Sequence, residues 1–549
     1  MLSIKRWKVT LLILLWFRTF SPSASLPNII ILLADNLGYN DISLFGAPST
    51  DTPNVDRIGH HGVQFKNLNS AANLCSASRA ALLTGKYPVR TGIYPGVFQA
   101  DSVYGLLPTE TTLAEYLRNL GYATSIVGKW HLGHNTDFLP INQGFDEWLG
   151  IPYHASGGSV EDHVCQYDRN KTMWLPLYEN HRIVQQPDNM HHLAEKYTDR
   201  AIDFMQRHQQ EPFFLYFPFS HVHQLCAPRD YPEQSTCQWS ARDNSTFFNA
   251  VEEMDWMVGK VLDTIDPLGL TNNTLVLFTS DNGPWVAEQE CSGSKGPFLG
   301  QWLMDHTTEN CTACPHDYIP DPNVFRQCLL PNTTHRLQGV HCGADTGLGS
   351  LWEANLRMPT VLQWPGRIPP QQESSELLSS LDVVPTILSI VGQDIQYLSF
   401  DGMDMSDTWL HPSSSRTFDR VLFFWRDGFQ SGPLPAPYGR MDVAAVKVGR
   451  FKAWIWTKSA HYNDDVEVYH DPPLLFDVED DPSEAIPLDP QEHGKLLRSV
   501  PIWIEQHKAS VDWTFPLTLA KDPRLVPCVD RTTGCRTEVS DYFYQQVTL

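Results

Sequence analysis

The sequence predicts an α/β domain built on a large sheet, followed by a smaller C-terminal α+β domain with an antiparallel sheet. The uninterrupted apolar run at 29–34 is typical of a parallel strand that is buried on both faces. Strand-like and helix-like segments then alternate as far as about residue 395, and beyond it short strand-like runs follow one another. We therefore expect domains at 26–395 and 396–549, the first with an insertion of low periodicity at 286–350.

The individual elements follow from local periodicity. Apolar runs predict strands at 28–34, 63–65, 122–127, 212–219, 275–280 and up to 362. Helical patterns predict helices beginning near 52 and 75, and further helices at 111–120, 190–209, 247–265 and 380–391. The C-terminal domain is expected to have strands at 421–425, 444–448, 451–457 and 474–477 and a helix near 492–507. On the helix at 247–265, Glu252, Glu253 and Asp255 are expected to form a solvated acidic face.

Residues 1–25 have the pattern of a secretory signal peptide. A basic start precedes an apolar run, and mostly small residues at 21–25 provide a cleavage region. The apolar run is short for a membrane-spanning signal anchor, which is the alternative, and no later segment reaches spanning length. We expect a protein of the secretory pathway, lysosomal or extracellular, with no membrane span after cleavage.

Sequons and cysteines agree with export. Glycosylation sequons begin at Asn170, Asn244, Asn272, Asn310 and Asn332. Of the eleven cysteines, all except Cys75 are candidates for up to five disulfides. Four of them, at 311, 314, 328 and 342, have an irregular spacing that fits disulfides better than a zinc cluster.

The formal net charge of −23 excludes one class of partner. An acidic surface repels the phosphate backbone, so no nucleic-acid partner is expected. A small anionic substrate stays compatible with this charge, because a binding site can be basic locally.

The stretch at 75–86, Cys-Ser-Ala-Ser-Arg-Ala-Ala-Leu-Leu-Thr-Gly-Lys, is the most informative part of the chain. Its pattern predicts Cys75 at a helix N-terminus, where backbone N–H groups and the helix dipole favour bound anions. Arg79 falls about one turn later, where a guanidinium can bind a tetrahedral oxyanion through two N–H groups. A cysteine and an arginine at this spacing are otherwise common core residues, so the surrounding pattern decides the interpretation.

Polar residues follow four predicted strands at the point where each strand ends. Asp35-Asn36 and Asp281-Asn282 each follow an apolar strand, and together they offer four hard oxygen ligands, which favour calcium or magnesium. A single Asp-Asn pair before glycine is more often only a turn. Lys129 and His131 follow the strand at 122–127, and His221 and His223 follow the strand at 212–219. Alternating histidines of this kind also occur as zinc ligands.

These motifs together resemble the type I sulfatase family, in its arylsulfatase A and G branch, from about residue 27 to 525. The resemblance rests on residues 75–92, on the block Gly-Lys-Trp-His-Leu-Gly at 128–133, and on segments 177–180, 281–285 and 296–298. It implies an alkaline-phosphatase-like α/β sandwich around a large mixed sheet. It also implies a sulfuric ester hydrolase that acts on a sulfated small molecule or glycan.

The resemblance assigns a role to each candidate residue. Cys75 would be oxidised to formylglycine by the formylglycine-generating enzyme, and the aldehyde hydrate would attack sulfur. After the alcohol or phenol leaves, loss of a second hydrate proton to a base would expel sulfate and regenerate the aldehyde. In this scheme Arg79 stabilises the hydrate, Lys129 and His223 bind sulfate, His131 is the acid–base residue, and Asp35, Asn36, Cys75, Asp281 and Asn282 surround calcium.

Three departures from the family pattern lie at the implied site. Ala77 replaces the proline that the modifying enzyme reads two residues after the cysteine, and Asn36 replaces a second aspartate, which removes one negative charge from the calcium site. His154 stands where the A branch has serine and is a further candidate for contact with the substrate sulfate.

A fourth departure lies near Glu353. The family has a second sulfate-binding lysine where this chain has Leu348, and an apolar side chain cannot offset sulfate charge. Two family glycines are replaced by Ala354 and Asn355, while Lys295 and His341 in the insertion are candidate substitutes for the lysine.

These departures leave two functions open. One is the hydrolase, which the retained motif residues favour, and the other is a catalytically impaired glycoprotein of the same fold that binds sulfated ligands without turnover. A phosphodiesterase of the same superfold is disfavoured, because it would require a serine or threonine nucleophile and a histidine-rich set of metal ligands.

Overall fold

The structure is a computed structural model. It describes residues 26–47, 50–154, 175–186, 188, 192–223, 247–286, 292–306, 345–413, 420–426, 442–460, 468–512, 516–530 and 532, and the backbone of three short strands between 319 and 337. The predicted signal peptide, four of the five sequons, His341 and most of the cysteines lie outside the described residues.

The strands form three sheets. In chain order they are β1 Asn28–Ala34, β2 Val63–Asn69, β3 Ala123–Val127, β4 Glu147–Gly150, β5 Leu177–Glu179, β6 Arg182–Gln185, β7 Phe213–Pro218, β8 Thr274–Ser280, β9 Ile319–Pro320, β10 Cys328–Leu329, β11 Arg336–Leu337, β12 Arg357–Gln363, β13 Gln372–Ser374, β14 Leu378–Ser379, β15 Leu422–Arg426, β16 Asp442–Val448, β17 Phe451–Thr457 and β18 Val468–Asp477.

The main sheet of the described chain has eleven strands in the order β13-β2-β12-β8-β1-β7-β3-β4-β5-β6, with β14 beside β2. Its centre, from β8 through β1, β7 and β3 to β4, is parallel, whereas β12, β5 and β6 pair antiparallel to their neighbours. The sheet is therefore mixed, as the resemblance implies.

Both faces of the main sheet are covered by helices. The helices are α1 Pro53–His60, α2 Cys75–Thr84, α3 Pro88–Thr91, α4 Leu113–Asn119, α5 Leu193–Arg207, α6 Phe247–Ile265, α7 Gln301–His306, α8 Glu353–Leu356, α9 Val383–Ile390, α10 Ser406–Leu410 and α11 Gly494–Ala509. Alternate residues of β1 enter two different cores, one with α2, α4 and α9 and the other with α1, α5 and α6. This two-sided burial is why β1 is apolar without alternation.

The C-terminal sheet has the order β15-β16-β17-β18 and is antiparallel throughout. One of its faces packs on α11, and its other contacts include Trp352 and Leu356 in and beside α8. The predicted fold class, an α/β domain on a large mixed sheet with a separate antiparallel sheet near the C-terminus, is confirmed. Among the described helices, none combines the length and apolarity that crossing a bilayer requires.

Two predictions about elements are wrong. Glu253 and Asp255 are buried rather than solvated: Glu253 Oε2 lies 3.3 Å from His221 Nε2, and Asp255 accepts backbone hydrogen bonds at the start of α1. Asp255 caps α1, and its partner Asn54 is about 200 residues away in the chain. Local periodicity cannot show such a partner, so the pattern predicts a surface residue. The insertion, expected to be loop-like, includes helix α7.

Candidate active site

The candidate site lies at the carboxyl edge of the central parallel strands. Strands β8, β1, β7 and β3 are neighbours in this order, so the residues that follow them converge at one edge of the sheet. The pairs that meet there are Asp281 and Asn282 after β8, Asp35 and Asn36 after β1, His221 and His223 after β7, and Lys129 and His131 after β3. Asn36 and His131 both have a φ of +61°, a left-handed conformation that is costly outside glycine and concentrates at functional sites.

Two buried cations are paired with the two aspartates. Lys129 Nζ lies 2.5 Å from Asp35 Oδ2, and Arg79 Nε and Nη2 lie 2.9 and 2.8 Å from Asp281 Oδ2. Arg79 Nη1 also donates to the carbonyl of Lys129 at 2.9 Å, which joins the two pairs. All four side chains are inaccessible to solvent, so each charge depends on its partner for compensation.

Cys75 is the first residue of α2 and faces this network. Its Sγ atom lies 3.5 Å from Asp35 Oδ1 and 3.6 Å from Asn36 Oδ1. Burial raises the pKa of the Cys75 thiol well above its usual value; Lys129 opposes this shift and the two aspartates add to it. This shift disfavours the thiolate, which is the nucleophilic form of cysteine.

The oxygen donors around Cys75 fit a hard cation. Ligand atoms of Asp35, Cys75 and Asp281 all lie within 4.8 Å of one another. Asn282 Nδ2 donates to Asn36 Oδ1 at 2.6 Å, while Asn282 Oδ1 is buried without a hydrogen-bond partner. A buried amide oxygen without a donor is unusual, and a cation bound beside it would compensate it. The donor set is the one that calcium prefers.

Three imidazoles and an indole form a row beside this centre. Ring centroids are 5.4 Å apart for His131 and His154, 5.1 Å for His154 and His223, and 5.6 Å for His223 and Trp285. Burial lowers the pKa of all three histidines well below the usual value, and Lys129 adds to the effect on each. The row is therefore neutral over the physiological pH range.

The tautomer of His131 follows from its hydrogen bond. Its Nε2 lies 2.9 Å from the carbonyl oxygen of Phe98, which can only accept, so Nε2 has the hydrogen atom. His131 Nδ1 is then left with a lone pair, and it is buried without a partner. This lone pair can accept a proton from a ligand, although burial and Lys129 make the imidazole a weaker base than usual.

The structure also describes three other candidate residues, His221, Leu348 and Lys295. His221 Nε2 lies 3.3 Å from Glu253 Oε2, a contact between two buried side chains that is typical of a structural histidine. Leu348 is buried in the loop beside Pro284, to whose carbonyl its backbone N–H donates at 2.8 Å. Lys295 Nζ binds Thr346 Oγ1 at 2.9 Å, two residues before Leu348, so its ammonium is engaged within the same loop.

Sequence reasoning missed two residues that orient the histidine row. Gln99 Oε1 lies 3.1 Å from His154 Nε2, and the carbonyl of Phe98 fixes His131. Neither residue has a recognisable motif, because one acts through a common side chain and the other through its backbone. Of the modification sites, Asn272 is exposed in the short 3-10 helix Thr271–Asn273, and Cys528 is disulfide-bonded.

Family models match both parts of the chain. A model described as Sulfatase matches residues 27–393, and one described as the C-terminal region of aryl-sulfatase matches residues 419–537. The chain belongs to the sulfatase family, as the motifs around Cys75 and Lys129 predict.

Two of the similar curated proteins are arylsulfatases. Arylsulfatase G of Canis lupus familiaris is 36% identical over 547 residues, which cover 94% of this chain and 92% of the relative. Arylsulfatase A of Homo sapiens is 33% identical over 481 residues, covering 83% and 82%. The crystal structure of the PsFucS1 sulfatase from Pseudoalteromonas sp. has a TM-score of 0.66 and 22% identity, covers 88% of this chain and 90% of that one, and shows a shared fold. The sulfatase homologues support sulfate ester hydrolysis as the class of reaction.

Proposed function

We propose that this protein is a sulfuric ester hydrolase of the arylsulfatase type, with a formylglycine nucleophile made from Cys75 and with calcium. The position of Cys75 supports this most directly. It begins a ten-residue helix and faces Asp35 and Asn36, next to the paired cations Arg79 and Lys129. A group at this point is surrounded by the charges that a sulfate ester and its transition state require.

Conversion of Cys75 to formylglycine would replace a weak nucleophile with a stronger one. Burial raises the pKa of the thiol and so disfavours the thiolate, whereas an aldehyde hydrate would supply an oxygen nucleophile at the same place. Calcium, held by Asp35, Asn36, Asp281 and Asn282, would supply a Lewis acid at this oxygen.

The other residues would bind the substrate and move protons. Lys129 and His223 would bind sulfate oxygens, with His154 as a further contact, since the two imidazoles stack and Lys129 is near enough to lower the pKa of both. Arg79 would stabilise the modified side chain from α2. His131 Nδ1 would accept the proton, because its Nε2 is already committed to the Phe98 carbonyl.

The same proposal extends to the biology of the chain. It would pass through the secretory pathway, where the formylglycine-generating enzyme acts, and reside in the lysosome or outside the cell. Asn272 is exposed, as N-glycosylation requires, and a disulfide at Cys528 agrees with an oxidising route. The catalytic part would occupy 26–395 and the antiparallel-sheet part 396–549.

One observation favours the alternative of binding without turnover. Leu348 stands at the position of the family's second sulfate-binding lysine, and no charge at this residue can offset the sulfate. A protein that retains Lys129 and the histidine row would still bind a sulfated ligand while stabilising its transition state less.

Turnover of an aryl sulfate separates the two functions. The full chain would be co-expressed with a formylglycine-generating enzyme, and the hydrolysis rate normalised to the fraction of position 75 that is converted. We expect turnover that falls by at least about a thousandfold in Cys75→Ala, because the nucleophile is lost. Sulfate-ester binding without turnover by fully converted protein would establish the alternative.

A further inference from the structure

Asn355 occupies a buried position between the two loops that form the proposed site. It lies in the short helix α8, and its side chain makes three hydrogen bonds. Oδ1 accepts the backbone N–H of Gly283 at 3.0 Å, and Nδ2 donates to the carbonyls of Asn73 at 3.0 Å and Ser350 at 2.8 Å. A buried amide with this many partners is held in one orientation.

The first of these bonds reaches the residue next to a proposed calcium ligand. Gly283 directly follows Asn282, and its N–H is shared between the side chain and the backbone carbonyl of Asn355, each at 3.0 Å. A Cβ atom on Gly283 would lie 2.2 Å from the carbonyl oxygen of Ala354, so the two backbones are in direct contact. The end of β8 therefore cannot move toward or away from α8 without breaking these bonds.

The second bond reaches the segment that leads into Cys75. Asn73 lies two residues before Cys75, and its carbonyl also accepts the N–H of Gly349 at 3.1 Å. Its side chain returns a hydrogen bond to the Gly349 carbonyl at 2.9 Å. The start of α2 is thus tied to the same loop that is tied to the end of β8.

We propose that Asn355 is a positioning residue that sets the separation between Cys75 and the Asp281–Asn282 pair. The inference rests on the proposed calcium site and nucleophile, and it assigns to this chain a link that a glycine, the residue implied here by the family pattern, cannot make. Asn355 is not one of the proposed calcium or sulfate ligands, and it acts through Gly283 and Asn73. Residues that orient metal ligands from outside typically change metal affinity by about 10- to 100-fold when they are replaced.

Calcium affinity tests this role without relying on activity. The full chain would be stripped with a chelator and titrated with calcium chloride, following heat of binding and the rise in melting temperature. Asn355→Gly removes all three side-chain hydrogen bonds. Asn355→Asp keeps the oxygen that accepts the Gly283 N–H, but it replaces the amide donor with an oxygen that faces the carbonyls of Asn73 and Ser350. We expect the calcium concentration for half-saturation to rise at least about tenfold in both variants, with a fall in kcat that exceeds the change in KM.

Asn28→Ala is the matched control. Asn28 is also buried and makes side-chain bonds to Thr274 and to the backbone of Phe213, but it lies at the opposite end of β1. The Asn28→Ala variant should have a lower melting temperature than the wild-type protein and the same calcium concentration for half-saturation. If the Asn355 variants behave in the same way, Asn355 has only a structural role and the inference is overturned. A wild-type protein that does not respond to calcium would overturn the calcium site itself as well.

Discussion

The histidine row shows how single residues set the charge of the site. His131, His154 and His223 are buried beside Lys129, so protonating any of them would add positive charge without solvent to compensate it. The unfolded chain has no such restriction, because its histidines titrate near pH 6.5. Acid should therefore destabilise the fold through these residues.

Replacing His154 with serine measures this effect. The pKa of His154 is lowered in the native state, so below about pH 6.5 the unfolded chain takes up more of a proton than the native chain does, and stability falls as the pH falls, by at most about 1.4 kcal/mol per unit for this histidine. His154→Ser should make the fall in unfolding free energy with pH shallower by that amount. Urea unfolding of both proteins between pH 6.5 and 4.5 measures it, and equal slopes would show that His154 is already protonated in the native state.

For single residues, the sequence predicted the candidate site residues but not the residues that hydrogen-bond to them. Cys75, Lys129 and Asp281 stand in motifs whose spacing is local, and the structure brings them together. Gln99 acts through a hydrogen bond to His154, which is distant in the chain, so no local pattern marks it. Asn355 stood out only as a departure from a family glycine, and its hydrogen bond to Gly283 was not predicted. The catalytic and ligand-binding roles that the resemblance assigns to these residues stay predictions.

At the scale of elements, tight backbone contacts position the strand ends. Gly128 lies between β3 and Lys129 with a φ of +128°, and a Cβ atom there would be 1.9 Å from the carbonyl oxygen of Pro218. Lys129 N–H donates to the same carbonyl at 2.9 Å, so the position of Lys129 depends on this contact with the end of β7. Glycine is required here by sterics as well as by conformation.

Gly128→Ala should therefore disrupt the site through its backbone. We expect a loss of about 3 kcal/mol or more in unfolding free energy, because the backbone must shift to relieve the overlap. Gly121→Ala is the control: its φ is +89° but no atom lies within 4 Å of its Cβ position, so only the conformational cost of about 1–2 kcal/mol applies. Comparable losses in chemical unfolding of the two variants would contradict the steric argument.

Most elements of the main sheet were predictable because each is defined by a local apolar period. Strand β1 and helix α6 follow directly from such runs. The order of the strands was not predictable, since β12 inserts between β2 and β8 after a separation of nearly 300 residues from β2. The acidic residues of α6 were misjudged for the same reason, because their partners are distant in the chain.

At the scale of the whole molecule, buried ion pairs join the C-terminal sheet to helix α8. Glu353 in α8 lies 2.6 Å from Lys447 and 3.2 Å from Lys452, which belong to β16 and β17. Lys452 also pairs with Glu484 at 3.2 Å. Burial and the nearby Arg357 lower the pKa of Lys447 to about 7, and Glu353 opposes this shift, so the carboxylate favours the charged form of this lysine.

Glu353→Gln should destabilise the whole protein. It removes one carboxylate and leaves buried cations without compensation, a change that costs about 3–5 kcal/mol. Asp263→Asn, which breaks the exposed pair between Asp263 and Arg57, should cost less than about 1 kcal/mol. Unfolding of the two variants in guanidinium checks the difference, and similar midpoints would mean that the buried cluster does not hold the two sheets together.

The central claim is that Cys75 is the precursor of the nucleophile, and the mass of one peptide tests it most directly. Trypsin releases residues 67–79 as a single peptide that contains Cys75 and Ala77. In protein recovered from cells with an active secretory pathway, we predict that this peptide has the mass of formylglycine at position 75. A peptide with only unmodified cysteine would contradict the account, because the aldehyde would be missing and burial disfavours the thiolate that a cysteine nucleophile needs.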